Sequence, residues 1–241
     1  MFEGRVWWIV GASEGLGRAL AGALAAEGAQ LILSARNAGR LRALADTLPG
    51  ARAVAMDVTD AGSVARAVAE AGSVDGVIYA AGAYRPMAAP EWDRDAAEAI
   101  ADVNFTGALR LMGHIAPAFA ARGAGCIVLI GSLAGFRGLP GAIGYGASKA
   151  ALMNLGESLH ADLRRHGVRV RIISPGFIET RLTAQNDFTM PQIMTPERAA
   201  RHVIRAIRGR RVHVAFPRPF AWLFSWGRFL PAGIFTRITG G

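Results

Sequence analysis

A tyrosine and a lysine four residues apart, Tyr145 and Lys149, form the most specific chemical pattern in the chain. In a helix these two side chains would lie on one face. A phenol with an ordinary pKa of about 10 exchanges protons poorly at neutral pH, and a nearby ammonium lowers that pKa by stabilising the phenolate. With the hydroxyl of Ser132 to bond a substrate oxygen, the pattern predicts acid–base chemistry at a carbonyl or alcohol group.

Lys149 is the only lysine among the 27 basic side chains of this 241-residue chain, and the others are arginines. Because the chain has three tyrosines, a chance lysine four residues after one of them has a probability of roughly 1%. Lysine suits the role better than arginine, since it is a compact charge whose three donors can also hold ribose hydroxyls. We therefore interpret Tyr145 and Lys149 as a functional pair.

A glycine-rich loop, Gly11-Ala12-Ser13-Glu14-Gly15-Leu16-Gly17, lies between a short apolar run and a helical stretch. Glycines here permit a tight turn and close approach of the backbone to a pyrophosphate, whose charge meets the free N–H groups of the helix. Spacing alone is weak evidence because the chain has 30 glycines. The preceding strand and the following helix favour a dinucleotide site over an ordinary turn.

The residues after the second apolar run, Ala35 and Arg36, indicate which dinucleotide is bound. No carboxylate stands where one would bind the ribose hydroxyls of NAD, and an arginine there can pair with the 2′-phosphate of NADP. The alternatives are a solvated arginine at a helix start and, because Glu14 would oppose a nearby phosphate, NAD(H). The sequence predicts NADP(H) as the preferred cofactor.

Short apolar runs alternate along the chain with alanine- and leucine-rich stretches of helical period. Strands are predicted at 5–10, 30–34, 52–56, 74–79, 126–130, 168–173 and 211–215. Helices are predicted at 15–27, 39–48, 60–71, 95–121, 146–165 and 196–208. The runs are almost continuously apolar, as strands covered on both faces are. The alternation predicts one α/β domain over 1–241, a doubly wound parallel β-sheet of Rossmann type flanked by helices on both faces.

The net charge of +9 belongs to one end of the chain. Residues 1–195 contain 18 basic and 17 acidic side chains, whereas 196–241 contain nine arginines and only Glu197. A near-neutral body argues against nucleic acid as a partner. The single cysteine, Cys126, excludes a disulfide framework, and the five histidines lack metal-ligand spacing, so no metal site is expected. We expect a cytoplasmic protein, because the first apolar run is too short for a signal peptide.

From about residue 5 to 215 the chain resembles the short-chain dehydrogenase/reductase family, through the glycine loop, Ser132, Tyr145 and Lys149. The resemblance implies an NAD(P)-dependent oxidoreductase that transfers hydride between the nicotinamide and the carbonyl or alcohol carbon of a small molecule. It also implies a homodimer or homotetramer. Tyr145 would be the acid/base, Lys149 its electrostatic partner and Ser132 the group that orients the oxygen, while Asn104 would help to hold a water in a proton relay.

The same resemblance implies further contacts with the cofactor. Asp57 matches the adenine-contacting aspartate, and Pro175-Gly176-Phe177-Ile178-Glu179-Thr180 resembles the segment that holds the nicotinamide carboxamide. From the residues alone, Asp57 could equally cap a helix, and Ser132 and Asn104 could be turn residues. The predicted cofactor-binding residues are Gly11, Ser13, Gly15, Leu16, Gly17, Arg36, Asp57, Val58, Ala81, Gly82, Tyr145, Lys149, Pro175, Gly176, Ile178 and Thr180.

Two positions depart from the family pattern. Val10 stands where the glycine loop usually begins with threonine, which removes a hydroxyl from the turn. Tyr79-Ala80-Ala81-Gly82 replaces Asn-Asn-Ala-Gly, which removes an asparagine that ties loops together. Neither change removes a group that transfers hydride or a proton, so the catalytic interpretation stands.

Residues 180–197 are predicted to form a loop that covers the substrate. The resemblance places an apolar set on the substrate side: Leu133, Leu139, Ile143, Phe177, Phe188, Met190 and Met194. Such a set fits a lipophilic carbonyl or alcohol better than a sugar or a polyanion. Side chains buried by packing alone would look the same.

The C-terminal tail, residues 216–241, holds seven of the chain's 19 aromatic residues, interleaved with Arg218, Arg228 and Arg237. Prolines, glycines and arginines interrupt it too often for a bilayer span. One interpretation is that the tail lies on an anionic membrane surface, with the protein peripheral to the inner face of the membrane. The other, which we favour, is that it packs across a subunit interface or covers the substrate pocket.

A non-catalytic cofactor-sensing or scaffolding protein on the same fold is the alternative function. The intact Ser–Tyr–Lys set of Ser132, Tyr145 and Lys149 argues against it. A sensor has no need of a tuned phenol.

Overall fold

The computed structural model describes residues 1–239, and Gly240 and Gly241, the end of the predicted tail, lie outside the described residues. The strands are β1 (Val6–Val10), β2 (Gln30–Ser34), β3 (Ala51–Ala53), β4 (Gly76–Tyr79), β5 (Gly125–Ile130), β6 (Val168–Pro175) and β7 (His213–Phe216). They pair in the order β3-β2-β1-β4-β5-β6-β7, and every pair is parallel. The predicted doubly wound parallel sheet is confirmed.

Helices cover both faces of the sheet. They are α1 (Gly15–Ala25), α2 (Ala38–Ala45), α3 (Ala61–Ala71), α4 (Arg94–Ala101), α5 (Gly107–Arg122), α6 (Tyr145–Leu163), α7 (Pro196–Arg208), α8 (Phe220–Gly227) and α9 (Ala232–Ile238). Buried side chains of α1, α2 and α7 form one core with the sheet, and those of α3, α5 and α6 form a second core on the opposite face.

These two cores explain why the strands read as continuous apolar runs. In β1, Trp7 and Ile9 belong to one core, whereas Trp8 and Val10 belong to the other, and all four are buried. Successive side chains of a strand point to opposite faces, so a strand covered on both faces needs an apolar residue at every position.

The predicted helix over 95–121 is wrong in its middle, because a π-helical turn at Asp102–Thr106 separates α4 from α5. Asn104 lies in this turn and is fully buried. A π-turn inserts one residue without changing the composition, so a period of 3.6 residues does not reveal it. The third strand is also shorter than predicted and ends at Ala53.

The topology brings distant segments to one edge of the sheet. The strand order reverses between β1 and β4, and the carboxyl ends of strands open a crevice at such a point. β1 leads into the glycine loop and β4 into residues 80–82, while β5 leads to Ser132 and β6 to residues 176–180. Four parts of the candidate site therefore meet at this edge.

The tail forms α8 and α9, two short helices that the sequence did not predict. Phe224 and Phe235 are buried in a small third core. Arg137 donates hydrogen bonds to the main-chain carbonyl oxygens of Arg228 at 2.8 Å and Leu230 at 2.9 Å. One side of the tail is therefore attached to the body of the protein.

Candidate active site

A cleft of about 400 Å³ lies along the carboxyl edge of the sheet, where the strand order reverses. Ser132 lines it, whereas Asn104 is buried outside its lining. All the residues predicted to bind the cofactor line it: Gly11, Ser13, Gly15, Leu16, Gly17, Arg36, Asp57, Val58, Ala81, Gly82, Tyr145, Lys149, Pro175, Gly176, Ile178 and Thr180. The fold thus brings the nucleotide set and the acid–base set into one cleft, and their roles stay predictions.

The glycine loop has room for a ligand and no room for side chains. Gly11 has a φ of +91°, and a Cβ built on it would lie 2.5 Å from the Ala81 amide nitrogen. A Cβ on Gly17 would overlap the carbonyl oxygen of Gly11. Within residues 1–239, no side chain caps the start of α1 at Glu14, so the N–H groups of its first turn can donate to an anion. This cradle fits the pyrophosphate of a dinucleotide.

Two arginines beside the nucleotide end of the cleft were missed by the sequence prediction. Arg40 and Arg181 line the cleft together with Arg36. The carboxylate of Glu14 accepts hydrogen bonds from Arg181 Nη2 at 2.6 Å and from Arg40 Nη1 at 3.3 Å. The carboxylate expected to repel a phosphate is therefore paired with two of these guanidinium groups, whose combined charge exceeds its own. Arg40 lies in the first turn of α2, four residues after Arg36, and could have been found from the sequence, whereas Arg181 gives no local signal.

Asp57 lines the cleft and does not cap a helix, since Asp60 caps α3. Its Oδ1 accepts hydrogen bonds from the Thr59 N–H at 2.9 Å and from the Thr59 hydroxyl at 2.7 Å. Burial acts to raise the pKa of Asp57, but these hydrogen bonds and the charges of Arg36 and Arg110 hold it below its ordinary value. Asp57 is therefore an ionised acceptor at the wall of the cleft.

Ser132, Tyr145 and Lys149 meet on the β5 side of the cleft. Ser132 directly follows Gly131 after β5, and its hydroxyl accepts a hydrogen bond from the Ala134 N–H at 3.2 Å. Tyr145 begins α6, and Lys149 lies one turn later on the same helix. Lys149 Nζ donates to the carbonyl oxygen of Ile130 at 2.8 Å and lies 5.9 Å from the centroid of the Tyr145 ring.

Burial sets the direction of the pKa shifts in this group. Burial raises the pKa of Tyr145, and a hydrogen bond with Ser132 acts in the opposite direction. Burial lowers the pKa of Lys149 to about 8. In the protein chain alone, desolvation therefore dominates the pKa of Tyr145, and the Lys149 ammonium donates to the Ile130 carbonyl. That Lys149 lowers the pKa of Tyr145 beside a bound nicotinamide ring stays a prediction.

Asn104 lies in the π-turn and connects this turn to the loop after β4 and to α6. Its Oδ1 accepts a hydrogen bond from the Ala83 N–H at 2.7 Å, and its Nδ2 donates to the Ala83 carbonyl and to Ser148 Oγ, each at 3.0 Å. Ser148 precedes Lys149 on α6, so these bonds hold α6 against the loop after β4. Asn104 is thus more than a turn residue, and its role in a proton relay stays a prediction.

Tyr84 connects the predicted substrate loop to the acid–base end of the cleft, and the sequence prediction missed it. The rings of Tyr84 and Tyr145 pack edge to face with centroids 4.9 Å apart. The Tyr84 hydroxyl donates to Asn186 Oδ1 at 2.7 Å, and Gln185 Nε2 donates to the Tyr84 carbonyl at 3.1 Å. Only long-range contacts mark Tyr84, so no sequence motif could have identified it.

Three aromatic rings form an apolar cluster beyond this tyrosine pair. Phe177, which follows β6, packs edge to face with Phe188 of the loop at a centroid distance of 5.8 Å. It also stacks with Phe220 of α8 at 5.9 Å. The first turn of α8 therefore contributes to the same apolar surface as the predicted substrate loop.

Part of the predicted apolar set packs elsewhere. Met194 is 2% exposed and belongs to the core beneath α7, so its assignment to the substrate side is wrong. Its N–H donates to the Phe177 carbonyl at 3.1 Å, which fixes the end of the loop against the segment after β6. Leu133 and Leu139 pack in or against the third core, beside the tail.

Comparisons with known proteins agree with this geometry. The family model described as short chain dehydrogenase matches residues 5–190. An uncharacterised oxidoreductase of Myxococcus xanthus is 37% identical over 235 residues, which cover 94% of this chain and 93% of that protein. The 3-oxoacyl-(acyl-carrier-protein) reductase of Escherichia coli is 33% identical over 193 residues, which cover 76% of this chain and 77% of that protein.

A solved structure shares the whole fold. It is a short chain dehydrogenase from Burkholderia cenocepacia in complex with NADP, with a TM-score of 0.89, 29% identity and coverage of 100% of both chains. With the cradle, the Ser–Tyr–Lys group and the family match in place, the chain belongs to the short-chain dehydrogenase/reductase family and is an NAD(P)-dependent oxidoreductase.

Proposed function

We propose that the protein transfers hydride between NADP(H) and the carbonyl or alcohol carbon of a lipophilic small molecule. The observation that carries this proposal is that Ser132, Tyr145 and Lys149 line the same cleft as the glycine cradle and three arginines. Bound NADP(H) supplies or accepts the hydride, and the protein supplies orientation and proton transfer.

Tyr145 handles the proton at the substrate oxygen. Burial raises the pKa of its phenol, so the protonated form is present at neutral pH and can donate to a carbonyl oxygen that becomes an alcohol. Ser132 orients that oxygen with its hydroxyl. Lys149 stabilises the phenolate that remains and holds ribose hydroxyls with its other donors. Oxidation of an alcohol uses the same groups in reverse.

Tyr145→Phe tests this mechanism because it removes one oxygen atom. We expect kcat to fall by about 10²–10⁴-fold, the usual contribution of a general acid. The readout is nicotinamide absorbance with NADPH and a panel of hydrophobic ketones, with NADPH binding measured by calorimetry. Tyr84→Phe is the matched control, since its hydroxyl bonds Asn186 of the loop, and we expect a much smaller loss.

Two results would contradict the proposal. Turnover at the wild-type rate in Tyr145→Phe would refute the role of the phenol. A wild-type protein that binds NADPH tightly and turns over no member of a broad panel would favour the cofactor-sensing or scaffolding alternative.

The preference for NADP(H) is supported by charge. Arg36, Arg40 and Arg181 line the cleft, and Glu14, the nearby carboxylate, is paired with two of them. We expect Arg36→Gln to weaken NADPH binding by about 10–100-fold, as for a lost charged hydrogen bond, and to spare NADH. Arg42→Gln is the control, since Arg42 is exposed on α2 outside the lining. A wild-type protein that binds NADH more tightly than NADPH would contradict the preference.

A lipophilic substrate is supported by the aromatic cluster of Phe177, Phe188 and Phe220. We expect kcat/KM to rise about fourfold for each methylene added to an aliphatic ketone, as long as each methylene is buried. A preference for a hydroxylated ketone of equal length would contradict this class of substrate.

We propose further that residues 1–241 form one domain that works in the cytoplasm as a homodimer or homotetramer. The family resemblance supports the assembly, and the lone cysteine supports the compartment. Light scattering after size-exclusion chromatography tests the assembly. A monomer at every concentration would contradict it.

A further inference from the structure

The outer side of α8 and α9 exposes a concentration of apolar side chains, here named the tail face. Seven of the eleven exposed large hydrophobic side chains of residues 1–239 lie between 222 and 238. They are Trp222, Leu223, Trp226, Phe229, Leu230, Ile234 and Ile238. Trp226 is 71% exposed and Phe229 is 69% exposed. Clustered exposure of this kind is typical of an interaction surface.

Positive charge accompanies the tail face. Residues 198–241 contain nine arginines and no acidic side chain. The guanidinium of Arg218 lies 5.8 Å from the ring centroid of Trp222, and that of Arg228 lies 4.8 Å from the centroid of Phe229. The salt bridges within residues 1–239 include neither arginine. Both charges are therefore available to an external anion.

A groove of about 330 Å³ between β7 and α8 brings these residues together. Its volume lies in the range of about 300–1,000 Å³ that is usual for ligand pockets. Among the side chains that line it are Arg211, Arg218, Arg228, Trp222, Trp226 and Phe229. One guanidinium group can bind two phosphate oxygens through parallel N–H bonds, and neighbouring rings exclude water from such contacts.

We propose that the tail face docks on an anionic phospholipid bilayer. Tryptophan rings favour the depth of the headgroups, and short apolar helices flanked by arginines lie in the plane of the interface. Trp222, Trp226 and Phe229 enter this layer, while Arg218 and Arg228 bind lipid phosphates at its edge. Among residues 1–239, none of the helices combines the length and hydropathy of a transmembrane span.

Charge decides between a bilayer and a second copy of this chain. A symmetric dimer through the tail face would place the same patch on both subunits, so it would bring Arg218 and Arg228 of both subunits into one interface to which the tail contributes no acidic side chain. Like charges brought together across an interface are costly. An anionic lipid surface offers the opposite charge to every arginine of the tail face.

Vesicle sedimentation of the full-length protein tests the proposal. We expect binding to vesicles of phosphatidylcholine with about 30 mol % phosphatidylglycerol and little binding to phosphatidylcholine alone. Salt raised from about 0.1 M to about 0.5 M should release part of the protein, because it shortens the Debye length. Binding is measured without turnover, so the proposal does not rest on the proposed activity.

Two double variants separate the contributions. Each arginine near an anionic surface contributes about a fivefold factor in partitioning, so Arg218→Gln with Arg228→Gln should lose about 25-fold. Trp226→Ser with Phe229→Ser should lose at least about tenfold, as expected for two buried rings. The controls are Trp92→Ser, an exposed tryptophan outside the tail, and Arg164→Gln with Arg165→Gln, which lie just before β6.

Three results would overturn the proposal. The first is a failure of the wild-type protein to bind anionic vesicles. The second is binding of both tail variants that is as strong as binding of the controls. The third is an oligomer that does not bind vesicles and that dissociates in the double variant Trp226→Ser with Phe229→Ser. That result would show that the tail face serves the assembly instead. Circular dichroism of each variant confirms that a lost signal does not come from unfolding.

Discussion

The cofactor cleft and the tail face are both suited to phosphate groups, and they are built in opposite ways. The glycine loop of the cleft offers main-chain N–H groups, with Gly11 and Gly17 packed against neighbouring backbone. The tail face uses side chains, with exposed arginines and rings on two short helices. A backbone site depends on geometry and tolerates no added atom, whereas a side-chain surface depends on charge and area and loses affinity in small steps.

Gly17→Ala should disrupt the cleft most strongly. Its Cβ would overlap the Gly11 carbonyl oxygen, so the loop or α1 must shift, at a cost of about 1–3 kcal/mol in the free energy of unfolding. We expect NADPH affinity to fall by more than about 100-fold, measured by calorimetry, because the phosphate cradle moves with the loop. Gly22→Ala on the same helix meets no atom within 4 Å and should add about 0.5–1 kcal/mol of stability without changing affinity. Wild-type affinity in Gly17→Ala would contradict the backbone account.

Buried Lys149 should give the cleft a pH dependence that the arginines of the tail face lack. Its pKa of about 8 lies below its ordinary value of 10.5. The unfolded chain therefore binds more protons between these pH values, and the free energy of unfolding rises with pH through this interval. Below pH 8 the burial of protonated Lys149 lowers the free energy of unfolding by its full amount.

Chemical denaturation at pH 8 and pH 9 measures this effect. The interval avoids most of the opposing contribution of Cys126, whose pKa burial raises from 9.0 to about 11. We expect Lys149→Met to abolish the rise, which is about 1 kcal/mol between pH 8 and pH 9 because folded Lys149 is already half deprotonated at pH 8. An equal slope in both proteins would show that Lys149 does not titrate in this range.

Arg137→Gln should have the smallest effect, because it loosens only the tail. Its two hydrogen bonds to the carbonyls of Arg228 and Leu230 are exposed, so we expect a loss of less than about 1 kcal/mol in the free energy of unfolding. Hydrogen exchange in residues 220–238 should nevertheless become faster. Arg122→Gln, which removes a bond to the Val74 carbonyl in the body of the protein, should leave that exchange unchanged. Unaltered tail exchange in Arg137→Gln would show that Arg137 does not hold the tail.

The same contrast explains what could be predicted from the sequence. The glycine loop and the Tyr145–Lys149 pair are local patterns, and strands buried on both faces can be recognised in the sequence as apolar runs. The π-turn around Asn104 was missed because one inserted residue leaves the composition unchanged. Arg181 and Tyr84 were missed because their partners, Glu14 and Tyr145, lie far away in sequence.

The tail helices were missed for a different reason. Pro219 and Pro231 precede α8 and α9 directly, and each helix is only about two turns long. Isolated helices of that length are marginal in water, and these depend on packing of Phe224 and Phe235 against the body. Helical period over such short segments carries little information.

The wall shared by the cleft and the tail has a thermodynamic consequence. Gly176 lines the cleft, and a Cβ built on it would lie 3.2 Å from Pro217 Cδ and 3.5 Å from Phe220 Cδ1. Linkage requires reciprocity: the factor by which a bilayer changes the affinity for NADPH equals the factor by which NADPH changes the affinity for the bilayer. A coupling through this wall would therefore be measurable from either side, as a change in NADPH affinity on adding vesicles or as a change in vesicle binding on adding NADPH.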